Sequence, residues 1–167
     1  SEATDRLIQL VQDRGFAMSK AVSDTLHAIV GEFEALDAGM FRGAGSVSPG
    51  GGAVDVMGER FRGPFPGDRG TNLERIYDKG MVQVRAYSHP AVQATAYAAF
   101  ATYNQFYFEA NKRTARLMMN GHLMSAGLDA IVTPERRRVD YNRALRSLFL
   151  DADMSAYMAF LLSCYDG

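Results

Sequence analysis

Glu109, Lys112, Arg113 and Arg116 stand within one short stretch, FEANKRTAR, that leads into the apolar run LMMNGHLMSAG. On a helix beginning near Asn111, the side chains of Leu117, Met118, Met119, Leu123 and Met124 cover most of the circumference, the pattern of a helix enclosed by others. Its first turn carries positive charge, although a helix N-terminus already holds about half a unit of positive partial charge and ordinarily attracts acids. Cations gathered at a partly buried site are costly unless an anion pairs with them. Phosphate is the anion this arrangement suits. Main-chain N–H groups around Ala110, Asn111, Lys112 and Arg113 can cradle its oxygens, while Arg113 and Arg116, three apart on one face, grip from the side. Glu109, one step outside the helix, suits a Mg²⁺ ion bridging such phosphates. A competing reading pairs Arg113 and Arg116 with carboxylates elsewhere, such as Asp140 or Asp153, as ties between helices; helix physics alone weighs the two equally.

The elements that must hold this stretch can be read from hydrophobic spacing. Apolar residues recur every three to four positions from Thr4 to Gln12 and from Ser19 to Leu36 (Val22, Leu26, Ile29, Val30, Phe33), which predicts an N-terminal helix within residues 1–18 and a second helix closed by Gly39. Residues 43–70 change character to Gly-rich, β-prone pieces around SPGGG and AVDVM, which predicts a small, loose hairpin or flap, the mobile part of the chain. Helical signals return at Asn72 to Tyr87 and after His89-Pro90, where Pro90 fits a first helical turn and AVQATAYAAFATYN is Ala-rich enough for neighbours to approach closely. Gly127 is a stop for the central buried helix, and two more helices are expected at about Pro134 to Leu150 and Asp153 to Cys164. The expected fold class is all-α, with a central buried helix and a small β-hairpin flap, in one domain spanning 1–167; 167 residues suit one core. With Ser1 in place of an initiating Met, the sequence is expected to be a trimmed piece of a longer chain.

The stretch QFYFEANKRTAR, Gln105 to Arg116, resembles the motif of the Fic family, His-x-Phe-x-(Asp/Glu)-(Ala/Gly)-Asn-(Gly/Lys)-Arg-x-x-Arg, in a loop leading into a central helix. Glu109, Ala110, Asn111, Lys112, Arg113 and Arg116 match it, Tyr107 replaces Phe, and Gln105 stands at the histidine. The helix from His89, the LMMNGHLMSAG helix and RRRVDYNRALRSL fall where Fic domains place similar elements, so the resemblance covers roughly residues 20 to 165. It implies an ATP- and Mg²⁺-dependent AMP transfer to a protein Ser, Thr or Tyr hydroxyl, with Asn111 and adjacent amides binding phosphates, Glu109 coordinating Mg²⁺, and Arg113 and Arg116 on the β- and γ-phosphates. In the family the motif histidine takes the proton of the attacking hydroxyl. Gln105 has no useful proton affinity near neutral pH, so general-base catalysis, worth about 10²–10⁴-fold, is expected to be missing at this position. A glutamine can still orient an attacking hydroxyl or water by hydrogen bonding. Three functions follow: an AMP-transferring domain of lowered or altered activity, a silent nucleotide- or partner-binding pseudoenzyme, and a Doc-like protein kinase, the last favoured by Lys112 and disfavoured by Arg116. The resemblance also implies a protein target docked by strand pairing at the flap, 46–65. The inhibitory pattern (Ser/Thr)-x-x-x-Glu-(Gly/Asn) does not occur in the chain. Any inhibition is therefore expected from a separate antitoxin-like protein or from an inhibitory segment outside this sequence.

Composition narrows the rest. With 18 basic and 19 acidic residues, overall charge gives no argument for nucleic acid or a membrane surface as partner, and the run Arg136, Arg137, Arg138 reads as a solvated face. No apolar run approaches the roughly 20 residues a bilayer span requires. Cys164, the one cysteine, has no internal disulfide partner and reads as a buried inert thiol; with no leader-like opening, a cytoplasmic location is the default, a toxin or secreted effector the alternative use. The three histidines lack metal-ligand spacing, and His27 and His122 read as structural.

Overall fold

The structure, a computed structural model, describes residues 1–32, 36–45 and 51–165. Among these, seven α-helices and one hairpin follow in order: α1 (Glu2–Gln12), α2 (Lys20–Val30), β1 (Ala53–Val56), β2 (Glu59–Arg62), α3 (Thr71–Ala86), α4 (Pro90–Asn104), α5 (Asn111–Ser125), α6 (Arg138–Asp151) and α7 (Met154–Ser163). Short 3₁₀ turns at Asp68–Gly70 and Glu135–Arg137 lead into α3 and α6. The expected all-α class with one small hairpin is what the chain adopts. None of the described helices is long and apolar enough to cross a membrane.

Two helices share the centre. α5 packs against α4, α2 and α1, while α4 packs against α5, α7 and α3. The alanines of α4 allow this: Ala91, Ala94, Ala96, Ala98, Ala99 and Ala101 are all buried and let neighbours approach closely. The pair divides the apolar interior into two clusters. One joins α4 and α5 to α1–α3 through Leu7, Leu26, Leu73, Tyr77, Tyr97 and Met118. The other joins them to α6, α7 and the hairpin through Met119, Leu123, Leu145, Leu148, Tyr157 and Leu161. The methionines of the central helix thus fill core on both sides, which suits their flexible, polarizable side chains.

Helix ends follow local chemistry. Ser19 caps α2, its Oγ accepting from Val22 N–H, and Pro90 occupies the first turn of α4 while His89 Nδ1 accepts from Ala91 N–H. α2 ends at Val30 with Gly31 at its C-cap, short of the helix expected to reach Leu36; Phe33 lies outside the described residues.

The expected flap is tighter than its composition predicts. Its residues 46–50 lie outside the described residues, but from Gly51 onward it is a regular antiparallel hairpin in the register Ala53 with Arg62, Val54 with Phe61, Asp55 with Arg60 and Val56 with Glu59. Met57 and Gly58, at φ 49° and 86°, form the two-residue turn, whose paired positive φ angles match the twist of the strands. Phe61 packs on Tyr103 and Phe149 with ring centroids 5.1 and 4.8 Å away, which holds the hairpin down on α4 and α6.

Candidate functional site

α5 begins without a side-chain cap. Ala110 stands at its N-cap in the left-handed region, φ 62°, and offers no side-chain acceptor, so the first amides of the helix open outward. Facing them is a cleft of about 430 Å³. Its lining includes Gln105 and the run from Phe108 to Arg113, with Arg116, Tyr141 and, from the hairpin, Ala53 and Val54. Every site residue expected from the sequence therefore lines one cavity.

The loop that shapes the cleft is fixed by its own side chains. Asn111 donates through Nδ2 to the Tyr107 carbonyl at 2.9 Å and to Gln105 Oε1 at 3.1 Å, and its Oδ1 accepts from Tyr107 N–H at 2.9 Å. All three bonds serve the loop, so what Asn111 offers to the cleft is its main-chain amide. Gln105, 4% exposed and also in the left-handed region, donates through Nε2 to the Thr102 carbonyl at 2.7 Å. A primary amide donates and accepts at once and can bridge Thr102 and Asn111 in this way.

Residues remote in sequence hold the loop from outside. Arg42, itself buried, donates through Nε to the Gln105 carbonyl at 2.6 Å and through Nη2 to the carbonyls of Pro64 at 2.9 Å and Asn104 at 3.4 Å. Its cation thereby sits at the C-terminus of α4, where the helix dipole favours it. Burial, with the nearby charge of Arg62, pulls its pKa down to about 10, which leaves it charged at neutral pH. Gly63 packs against the same group: a Cβ there would lie 2.9 Å from the Asn104 carbonyl and 3.0 Å from Gln105 Cβ. The base of the hairpin is thus clamped to the loop. From the opposite side, His27 bonds the Glu109 carbonyl through Nε2 at 2.9 Å and accepts from Gly39 N–H through Nδ1 at 2.8 Å. The accepting Nδ1 fixes the neutral Nε2–H tautomer, and burial lowers the His27 pKa. Its ring stacks on Tyr107 at 3.8 Å and 7°.

The charges divide unevenly. Asp140 pairs with Arg137 and Arg143, and Asp153 caps α7 by accepting from Ala156 N–H, so neither of these two acids is engaged with Arg116. Arg116 makes no ion pair among the described residues, and its guanidinium lies 5.9 Å from the ring centroid of Tyr141. Lys112, one helical turn before it, is half-buried, and burial together with the Arg116 charge lowers its pKa. Glu109, which also lines the cleft, is exposed. No group of three or more His, Cys, Asp or Glu side chains could hold a metal ion among the described residues. One carboxylate nevertheless suits Mg²⁺, which keeps several waters and is bound through one or two carboxylates plus phosphates.

Arg42, His27 and Tyr141 were not among the residues expected at the site. The first two act over more than sixty positions of chain through main-chain carbonyls, and no local spacing signals such a contact.

No family model matches the chain. It is 30% identical over 105 residues to the protein adenylyltransferase Fic of Drosophila willistoni, covering 60% of this chain and 20% of that protein. To the protein adenylyltransferase Fic of Drosophila erecta it is 27% identical over 154 residues, covering 87% of this chain and 27% of the other. The chain thus spans about a quarter of the length of these relatives. Among solved structures, a Fic family protein from Desulfovibrio desulfuricans superimposes with TM-score 0.74 at 16% identity, over 98% of this chain and 49% of that one. A Fic domain containing signaling protein from Bacteroides thetaiotaomicron does so with TM-score 0.68 at 17% identity, over 97% and 64%. Motif, architecture and sequence similarity point the same way, and the chain has the fold of Fic domain proteins.

Proposed function

We propose that this domain binds ATP with Mg²⁺ in the cleft at the start of α5 and belongs to the AMP-transferring kind, with a protein hydroxyl as acceptor and a catalytic step slowed by Gln105. The observation that carries the reading is the meeting of an uncapped helix start with Lys112 and an Arg116 that no described acid neutralises. A polyphosphate supplies the negative charge this corner lacks. The amides of Asn111 and Lys112 would take oxygens of one phosphate, Arg113 and Arg116 those of its neighbours, and Glu109 would hold Mg²⁺, which neutralises phosphate charge when bound. The relatives named adenylyltransferases favour transfer of AMP.

A second reading, binding without transfer, has its own support. The Gln105 amide is committed to Thr102 and Asn111, so it builds the loop where a base would act. The Doc-like kinase reading rests on Lys112 alone. Incubation with α- and γ-labelled ATP separates the three: α-label on protein marks AMP transfer, γ-label phosphotransfer, and neither, with ATP bound in a titration, binding only. Failure to bind ATP overturns all three.

Two protein partners fit the geometry. The outer edge of the hairpin can add a target strand beside the cleft. A groove of about 480 Å³ between α1, the end of α2 and α5 reaches both Arg113 and Arg116 and would admit a segment of a separate inhibitory protein.

A further inference from the structure

Tyr107 carries a hydroxyl in a place where phenylalanine would fill the same space. Buried at 3% exposure, it donates that hydroxyl to Asp24 Oδ1 at 2.7 Å. A carboxylate only accepts, so the proton of Tyr107 is spent there, and the Ser23 hydroxyl, also 2.7 Å from the Tyr107 oxygen, is the donor of that second bond. Asp24 completes its shell through Oδ2, which accepts from Lys20 Nζ at 2.7 Å. The main chain of Tyr107 is in turn bonded on both sides, N–H and carbonyl, by the side chain of Asn111, the first residue of α5. A continuous line of bonds therefore runs from α2 to the helix start that faces the cleft.

We infer that Asp24 and Tyr107 are positioning residues, which tie the loop 105–111 to α2 and so hold the first amides of α5 in the orientation a phosphate requires. The tie is independent of Gln105, which holds the loop from the opposite side through Thr102. Neither residue reaches the cleft, and their effect passes through Asn111. A charge-assisted bond of this kind is about twice as strong as a neutral one. Its loss frees the loop without emptying the core, since in Tyr107→Phe the substituted ring would keep the stack on His27 and the contact with Phe41.

The statement about phosphate rests on the nucleotide reading of the cleft, whereas the tie itself does not, and the test separates them. Hydrogen exchange of the loop and first-turn amides, 105–113, is compared among the unaltered chain, Tyr107→Phe, Asp24→Ala and Asp24→Asn, with the amides of α7 as internal control. The expected result is exchange about tenfold faster in the loop for Tyr107→Phe and Asp24→Ala, α7 unchanged, and most of the protection kept in Asp24→Asn, whose amide oxygen still accepts. ATP with Mg²⁺ is expected to bind about three- to tenfold more weakly to the first two variants, and no more weakly to the double variant than to either. Unchanged loop exchange, or an equal rise in α7, overturns the inference. Additive losses in the double variant overturn it as well. An unaltered chain that binds no ATP while the exchange pattern appears as expected sinks the nucleotide reading and leaves the tie standing.

Discussion

Gln105 occupies the one position where the motif and its expected chemistry part, and its surroundings show why an amide is stable there. It satisfies the Thr102 carbonyl and the Asn111 amide together, a task that needs a donor and an acceptor on adjacent atoms. Replacement by Leu would take the side-chain donor from the Thr102 carbonyl and one of the two acceptors from Asn111 Nδ2, which keeps only the Tyr107 carbonyl; a buried polar group that loses its partner costs about 1–3 kcal/mol. Thermal unfolding of Gln105→Leu is therefore expected well below that of the unaltered chain; an equal Tm would mean these bonds contribute nothing. Gln105→His has the opposite interest. An imidazole can accept the proton of an attacking hydroxyl, and α-label incorporation into protein is expected to rise by about 10²–10⁴-fold if the missing base alone limits transfer. No rise would place the limitation elsewhere. Arg116→Ala tests the electrostatic claim directly. Hydrogen bonds to charged groups are worth about 1.5–3 kcal/mol, so ATP with Mg²⁺ should bind about ten- to a hundredfold more weakly, while the stability of the fold, to which Arg116 gives no ion pair among the described residues, should hardly move. Calorimetric titration and a melting curve read the two quantities separately.

At the level of elements, α2 and α5 carry the site between them. α5 passes close to its neighbours at Gly121, where a Cβ would overlap the Phe16 ring and lie 2.7 Å from Leu7. Overpacking of this kind costs about 1–3 kcal/mol, so the bare backbone at Gly121 is what lets α1 lie against the central helix. Each of the two helices also carries a histidine shielded from water, His27 buried and His122 half-buried. His27, on α2, is held neutral chiefly by desolvation, and His122, on α5, likewise lies below its ordinary pKa through burial. The unfolded chain takes up these protons near pH 6.5 and the folded chain does not, so the unfolded state binds more protons below that pH. Stability is then fully present above about pH 6.5 and is lost as the pH falls, by at most about 1.4 kcal/mol per pH unit for each ring. Urea unfolding between pH 7 and pH 5 should show this decline, and His27→Gln should make it shallower. A decline of full slope in that variant would exclude His27 as its source.

Across the whole molecule, what was legible in the sequence is what short-range pattern encodes. The central helix follows from the three-to-four spacing of Leu117 to Met124, and the cleft from charges set at its start. The tightness of the hairpin was not legible, because Gly51, Gly52 and Gly63 read as loop punctuation while their purpose is to let Phe108, Arg42 and the Asn104 carbonyl come close. Arg42 was hidden for the same reason: a lone arginine in FRGAG gives no sign that three carbonyls from two other segments converge on it. The net charge of −1 likewise concealed a local excess of cations. That excess bears on stability as well as binding, since any ligand that joins the folded chain and not the unfolded one shifts the equilibrium by mass action. At a concentration about a hundred times Kd, ATP with Mg²⁺ should add about 2.7 kcal/mol, which for a chain of this size raises Tm by roughly 5–10 °C. Adenosine, which carries no phosphate, should raise it little, and the ATP effect should shrink with added salt as the charges at Lys112, Arg113 and Arg116 are screened. An equal rise with adenosine, or a rise indifferent to salt, would assign the binding energy to the base and overturn the electrostatic account of the cleft.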